Sequence, residues 1–403
     1  MRLSRVDLTM EAWSNIPRRY LNVLVDLSAV EHNTRVVRQA VGGPTAAVMA
    51  VVKADAYGHG AIDVARAALR GGATWLGVCT TPEALELRRA GIDAPILAWL
   101  HNSAESMRWA TAAGVDVSVQ SARTLAFAVD AGRAVGRPTR VHLEVDTGLG
   151  RGGAAFDHLA SLLNAAKSAQ SQGLISVASV WSHLSHGEVR GHDTLDEQAE
   201  FLTSAWRQAK KAGLDVRRHL AGSLSALTRP DLHFDMVRTG SALYGLLPYT
   251  ERHSFDLRPA MRVTSHVALT KRVEAGQGVS YEHDWIAPKA LNLALVPVGY
   301  ADGVPRSSSG QMAVSIRGRR YPVVGRICMD QMIVNCGDEK VGEGEEVVLI
   351  GDEPDGDPTI HEWALAVNTT PCEIATNFSR SHVNRQVVSA SSGLRDADDS
   401  HDL

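Results

Sequence analysis

Between about residues 21 and 245 of the 403-residue chain, eight short apolar runs alternate with segments of helical length, and no other feature constrains the fold as strongly. The runs are 46–52, 75–80, 95–100, 115–119, 140–145, 175–182, 216–221 and 235–238. Two of the intervening segments show a one-sided apolar face by count. Ala61, Val64, Ala65, Ala68 and Leu69 share one; Leu195, Ala199, Leu202, Trp206 and Ala209 share another, at spacings of 4, 3, 4 and 3. Near-continuous apolar strands followed by such helices predict a parallel sheet covered by helices. Eight units within about 225 residues predict a TIM barrel, an α/β fold of eight parallel strands. A doubly wound open sheet is the alternative, but it usually opens on a GxGxxG turn after its first strand, and the first run here leads into KADAYGHG instead.

The texture changes after about residue 255. The runs 263–269, 291–298, 311–316, 320–324, 331–335 and 346–350 read as short strands, separated by turns such as EAGQG, GYADGVP and GDEPDGDP. They predict a second, mostly β domain of about 130 residues. The chain thus divides into an extension at 1–20, expected to pack on the β-domain, a barrel at 21–250, a β-rich domain at 251–390, and a polar, acidic tail at 391–403, expected to be disordered.

Composition narrows the function. Hydrophobic residues make up 44% and charged residues 21%, as in an ordinary soluble globular protein, and the formal net charge of −4 gives no basic footprint for nucleic acid or an anionic membrane. The N-terminal segment has positive charges but no apolar core, so it does not read as a secretory signal, and no apolar run is long enough to span a bilayer. The four cysteines, Cys79, Cys328, Cys336 and Cys372, lack metal-site spacing and read as reduced thiols of a cytoplasmic protein.

The chemistry gathers at the ends of the predicted strands. The first runs as AAVMAVV directly into Lys53, then ADAYGHG. A lysine at a barrel mouth can be partly desolvated, which frees its amine for imine chemistry; alone it reads more readily as a surface lysine whose stem covers the rim. Glu144 and Asp146 end the fifth strand, His183 the sixth, Ser223 the seventh and Arg238 the eighth. Each has a structural excuse: a core histidine, a helix cap, a packed ion pair. Together they surround the face where barrel enzymes keep their active sites. The loops AGSLSA and RTGSALYG, after the last two strands, are rich in Gly and Ser and resemble the phosphate seat of this fold. An amine beside a phosphate seat points to a phosphate-bearing carbonyl cofactor, of which pyridoxal phosphate is the common one.

Seven segments in order, VVKADAYGHG (51–60), EVDTGLGR (144–151), WSH (181–183), MVRTGSALYG (236–245), VSYEHDW (279–285), VGYADG (298–303) and GRICMDQ (325–331), resemble the alanine racemases, which are fold-type III pyridoxal-phosphate enzymes. The resemblance covers about residues 20–388. It implies a barrel followed by a β-domain, in agreement with the strand pattern. It implies an isomerase that binds pyridoxal 5'-phosphate as an imine on Lys53 and interconverts L- and D-alanine, supplying D-alanine for the cell wall.

By the same resemblance, Tyr57, Ser223, Gly240 and Ser241 contact the cofactor phosphate and Arg238 meets its ring nitrogen. Tyr281 is the second acid/base, opposite Lys53, in a chain that runs from Tyr281 to His183 to Arg238. Arg151, Met329 and Asp330 lie at the substrate carboxylate, and Tyr300, Arg306 and Arg326 line the entrance. The β-domain residues come from the partner in a head-to-tail homodimer. A guanidinium on the ring nitrogen is a poor proton donor, which weakens the ring as an electron sink and disfavours transamination.

Three positions depart from the family pattern. Glu144 stands where many members carry a carbamylated lysine, and is expected to pair with Arg151, directly or through water. Cys372 replaces a tyrosine that touches the phosphate, and Gly222 replaces an asparagine before Ser223. These changes leave a racemase of serine or of broader specificity as an alternative, and a non-catalytic pyridoxal-phosphate carrier as another. A decarboxylase of this fold is disfavoured by Arg238 and Tyr281.

Overall fold

The structure is a computed structural model that describes residues 20–43, 46–379, 384–389 and 392–396. It separates into two compact units: Asp26–Ala260, and a second formed by the described residues before Asp26 and from Met261 onward.

Strand β1 (Asn22–Asp26) belongs to the second unit apart from its last residue. The first unit is a closed barrel of β2 (Ala47–Val51), β3 (Trp75–Val78), β4 (Ile96–Ala98), β5 (Asp116–Val119), β6 (Thr139–Glu144), β7 (Ile175–Trp181), β8 (Arg217–His219) and β9 (Met236–Thr239). Each pairs in parallel with the next, and β9 closes on β2. All eight expected strands are present. They form because most of their side chains are buried on both faces, by the helices outside and by the barrel interior within. The two helical faces counted in the sequence point inward: Ala61, Val64, Ala65 and Ala68 are buried on helix Ala61–Arg70, and Leu195, Leu202 and Ala209 on helix Thr194–Lys211. Asp26 caps helix Leu27–Val41 by accepting from the Ser28 and Ala29 N–H groups.

The second unit holds a ten-stranded sheet in the order β11-β14-β17-β16-β15-β18-β10-β1-β19-β20. Its strands are β10 (Met261–His266), β11 (Leu269–Val273), β14 (Leu291–Val296), β15 (Ala313–Ile316), β16 (Arg319–Val324), β17 (Met332–Gly337), β18 (Glu346–Ile350), β19 (Asn384–Ser389) and β20 (Ser392–Asp396), together with β1. A separate hairpin pairs β12 (Gly278–Val279) with β13 (Trp285–Ile286). Val273, Val279, Ala287, Leu291, Leu293 and Val324 form one core cluster that ties this hairpin to the sheet.

Several expectations shift. The single strand expected over 263–269 is two, β10 and β11, on different neighbours. The segment 21–25 leaves the barrel because β1 pairs antiparallel with β10. The boundary falls at Ala260/Met261 rather than at 250. Asn33 hydrogen-bonds both the N–H and the carbonyl of Arg258, and Arg190 pairs with Glu251, so 251–258 stays on the barrel unit. The unit is mostly β as expected, with helices Ile360–Ala366 and Pro371–Asn377 among its strands. Within the expected tail, 392–396 pairs as the edge strand β20 with β19; 397–403 lies outside the described residues, as does the extension 1–19.

Candidate active site

Lys53 sits at the end of β2, half-buried, where the backbone turns into an unusual conformation. Ala54, Asp55, Ala56 and Tyr57 all have φ between 51° and 56°. Four consecutive non-glycine residues in the left-handed region cost about 1–2 kcal/mol each, so surrounding contacts must hold them. Glu83 supplies the main one. One carboxylate oxygen accepts from Ala54 N–H at 2.7 Å; the other accepts from the Cys79 and Thr80 N–H groups, each at 2.8 Å. Asp55 accepts from Ala61 N–H, and Gly58, in the left-handed region, closes the turn on the Ala54 carbonyl. The Lys53 amine lies 5.9 Å from the Tyr57 ring centroid and 5.8 Å from that of Trp99.

The Tyr57 ring packs on Tyr244, whose hydroxyl donates to the Val51 carbonyl at 2.9 Å. The Tyr57 hydroxyl lies against Gly240: a Cβ there would stand 2.4 Å from it, so only glycine allows the approach. Ser223 Oγ accepts from the Gly240 and Ala242 N–H groups, at 3.0 and 3.2 Å. With both lone pairs engaged, its own proton is left to donate to an acceptor outside. Tyr57, Ser223, Gly240 and buried Ser241 thus converge as a small, donor-rich seat next to the lysine turn.

Arg238 is buried below this rim. Its guanidinium donates to the Ser182 carbonyl at 2.7 Å and the Leu220 carbonyl at 3.1 Å, and faces His219 Nδ1 at 2.8 Å and His183 Nδ1 at 3.2 Å. Burial lowers its pKa to about 9, which leaves it a cation at neutral pH. His183 is pushed down to about 3, by burial first and then by the Arg238, Arg151 and Lys53 charges, so its imidazole is neutral. Glu144, at the end of β6, is 6% exposed, and burial raises its carboxyl to about 7 against the pull of Arg238 and Arg151. Its one hydrogen-bond partner among the described side chains is Ser118, at 3.4 Å. Arg151 is exposed on the following loop, which Asp146 pins by accepting from the Gly148 and Gly150 N–H groups. No direct ion pair joins Glu144 and Arg151 among the described residues; the arginine acts on the carboxyl through space.

The remaining site residues lie together on the second unit. Tyr281 is 64% exposed, so it stands outside the core of this unit. It begins a short turn in which Ser280, Glu282 and His283 all have positive φ. Ser280 Oγ donates to the Arg326 carbonyl at 2.6 Å, and a Cβ on Gly325 would come within 2.8 Å of Ser280 Cβ. Arg326 pairs with Glu282 and Asp284. The loops VGYADG and GRICMDQ are laced together: Tyr300 N–H donates to the Cys328 carbonyl and Ala301 N–H to the Met329 carbonyl. Met329 and Asp330 are exposed, as is Arg306, which starts the turn Arg306–Ser308. Three motifs distant in sequence therefore present Tyr281, Arg326, Met329 and Tyr300 on one unit.

Of the departures, Gly222 precedes helix Ser223–Thr228, and a Cβ added there would meet only His183 Cε1, at 4.0 Å. Cys372 lies in helix Pro371–Asn377 of the second unit. Sequence reading missed Glu83, Trp99, and the buried polar residues Asp116, Ser118, His142, Ser179 and His219 of the barrel interior. Their signal was alternation: 116 and 118, 142 and 144, and 179 and 181 are polar or aromatic at every second position of otherwise apolar strands.

A closed barrel with a half-buried lysine, a cluster of hydrogen-bond donors and a buried arginine at its mouth, followed by a β unit bearing an exposed phenol, is the architecture of an amino-acid racemase. The family model for the alanine racemase N-terminal domain matches residues 25–248, and that for the alanine racemase C-terminal domain matches 260–387. The chain belongs to the alanine racemase family. It is 48% identical to an alanine racemase of Salinispora tropica over 364 residues, 90% of this chain and 97% of the relative. Its fold is similar to the crystal structure of alanine racemase from D-cycloserine-producing Streptomyces lavendulae, with TM-score 0.89 and 42% identity over 92% and 97% of the two chains. It also resembles the alanine racemase of Bacillus anthracis with bound L-Ala-P, with TM-score 0.85 and 30% identity over 94% and 98%. Among the described residues no helix is long and apolar enough to cross a membrane, and no group of three metal-ligating side chains occurs.

Proposed function

We propose that this chain interconverts L- and D-alanine with pyridoxal 5'-phosphate held on Lys53, and that Lys53 and Tyr281 exchange the α-proton on opposite faces. The observation that carries this reading is a half-buried amine on a strained turn, beside a donor-rich seat that only glycine at 240 keeps open. The seat fits a phosphate: Ser223 keeps its proton for a ligand, and Tyr57 and Ser241 bring further hydroxyls. The cofactor, when bound, supplies a carbonyl carbon and a conjugated ring that make the α-proton of an amino acid acidic.

The protein's own groups do the rest. Arg238, cationic and pinned by two carbonyls, offers the ring nitrogen a donor that does not give up its proton at neutral pH. The Lys53 amine takes or returns the proton on one face, and the Tyr281 phenol does so on the other. Arg151 and the backbone at Met329 hold the substrate carboxylate, with Asp330 beside it and Tyr300, Arg306 and Arg326 at the entrance. Membership of the alanine racemase family supports a head-to-tail homodimer in which a partner's β unit, carrying Tyr281, completes each site. Four cysteines without a disulfide fit work in the cytoplasm, where the product D-alanine serves the cell wall.

The open space at Gly222 beside His183 favours a second reading, a racemase that also accepts serine or larger side chains. Chiral chromatography after incubation with L-alanine, L-serine, L-lysine and L-arginine tests both. Turnover of alanine well above the others supports the first, and comparable rates support the second. A yellow protein that racemises none of them would be a carrier.

A further inference from the structure

The barrel interior holds a hydrogen-bonded chain that ends on Arg238 and whose other members the proposed chemistry leaves unused. Arg238 Nη1 faces His219 Nδ1 at 2.8 Å. His219 Nε2 lies 3.0 Å from Ser179 Oγ and 3.1 Å from His142 Nδ1. Ser179 Oγ is 2.6 Å from His142 Nδ1, and His142 Nε2 is 2.9 Å from Asp116 Oδ2. Asp116, Ser179, His142, His219 and Arg238 are all buried, where unsatisfied polar groups are costly. Beyond the chain's far end, half-exposed Arg140 reaches Asp116 Oδ2 at 3.0 Å.

We propose that Asp116 is a positioning residue for Arg238: acting through His142, Ser179 and His219, its carboxylate fixes the ring tautomer with which His219 accepts from the guanidinium.

The proton inventory leads to one arrangement. A guanidinium only donates, so His219 Nδ1 must be bare and, in a neutral ring, Nε2 carries the hydrogen. A carboxylate only accepts, so His142 Nε2 carries its hydrogen and Nδ1 is bare. His219 Nε2–H then donates to Ser179, and the Ser179 hydroxyl donates to His142 Nδ1. Every donor points from Arg238 toward Asp116, and every buried atom of the chain is satisfied. Replacing the carboxylate by an amide removes the accept-only group at one end and leaves Arg238 alone to hold the direction. An amide donor facing His142 Nε2 reverses both rings and places a His219 Nδ1–H against the Arg238 N–H. The same logic governs an aspartate that orients a catalytic histidine. Trp181 helps fix the planes, stacking on His219 at 5.6 Å and lying 4.7 Å from the Arg238 guanidinium. Burial holds His219 well below its ordinary value, consistent with a neutral ring.

The effect on turnover rests on the proposed seat of the cofactor ring at Arg238; the tautomer does not. The test uses the intact holoenzyme with 15N-labelled histidine and reads two-bond ring correlations, assigned by comparison with His219→Gln. In the wild type, His219 is expected to be protonated at Nε2 and bare at Nδ1. Asp116→Asn is expected to move a substantial fraction to Nδ1–H and to lower kcat roughly ten- to a hundredfold, with KM within about threefold. Ser179→Ala is expected to keep the wild-type tautomer, since His219 Nε2 already lies 3.1 Å from His142 Nδ1. A wild-type His219 protonated at Nδ1, or an unchanged tautomer in Asp116→Asn, overturns the inference. A moved tautomer with unchanged kcat leaves Asp116's role standing and instead removes Arg238 from the proposed reaction. Should Asp116→Asn not fold, the wild-type tautomer and Ser179→Ala decide.

Discussion

Glu83 and Ala54, 29 residues apart, are joined by a 2.7 Å hydrogen bond from the Ala54 N–H to the Glu83 carboxylate, and this bond anchors the left-handed turn that carries Lys53. The same carboxylate accepts from Cys79 and Thr80, so it clamps the ends of β2 and β3 together. Glutamine offers one acceptor oxygen where three N–H groups converge. A lost charge-assisted bond of this kind is worth about 1.5–3 kcal/mol. Glu83→Gln is expected to weaken pyridoxal-phosphate retention at least about tenfold, as read by equilibrium dialysis. Unchanged retention would show that the turn holds itself.

Gly240 and Tyr57 make the second test. A Cβ at 240 would lie 2.4 Å from the Tyr57 hydroxyl and 3.0 Å from the ring carbon that bears it. Gly240→Ala is expected to displace the phenol and reduce cofactor binding by roughly ten- to a hundredfold. Adding Tyr57→Phe removes the nearest atom and is expected to restore part of the loss. If the double variant binds no better than Gly240→Ala alone, the close approach is not what the glycine serves.

Glu144 predicts a pH dependence of stability. Its folded-state pKa, about 7, is raised above that of an unfolded glutamate, about 4.3. A raised carboxyl favours the folded state while protonated, so its contribution is present below pH 4 and is lost as pH rises through 7. The loss is at most about 4 kcal/mol. Glu144→Gln, which stays neutral, should therefore gain on the wild type between pH 5 and 8. Thermal midpoints at the two pH values check this. A constant difference would mean that the carboxyl is ionised throughout, held by the Arg151 and Arg238 charges.

Tyr281 separates colour from turnover. If its phenol is the second acid/base, Tyr281→Phe keeps the absorbance near ~420 nm expected of lysine-bound cofactor, while racemisation falls by roughly 10²–10⁴. Deuterium exchange from solvent should then persist for one alanine enantiomer and fail for the other. Exchange of both at wild-type rates would place the second base elsewhere.

Much of this was legible in the sequence because local patterns map directly onto local structure. Lys53, Ser223 and Arg238 follow apolar runs, and parallel strands deliver their last residues to one face of a barrel. The Gly-Ser loops marked the seat, though not that Gly240 is demanded by Tyr57, because that contact joins residues 183 positions apart, a difference of 240 and 57. Glu83 also closes the capping box of helix Thr81–Arg89 with Thr80. Its third N–H partner comes from the neighbouring strand's loop and has no local signature. The chain from Asp116 to Arg238 crosses β5, β6, β7, β8 and β9, so its members are related only by barrel closure. β1 escaped because its partner, β10, lies far along the chain, and pairing rather than periodicity decides where such a segment goes.

The most direct measurement of the central claim is incubation of the purified enzyme with L-alanine in deuterated water, followed by chiral separation and mass analysis of the α-position. The account predicts D-alanine formed with deuterium at the α-carbon, deuterium entering the remaining L-alanine as well, and none of this in Lys53→Ala. A wild-type protein that carries the cofactor colour and yields neither D-alanine nor α-deuterium would contradict it.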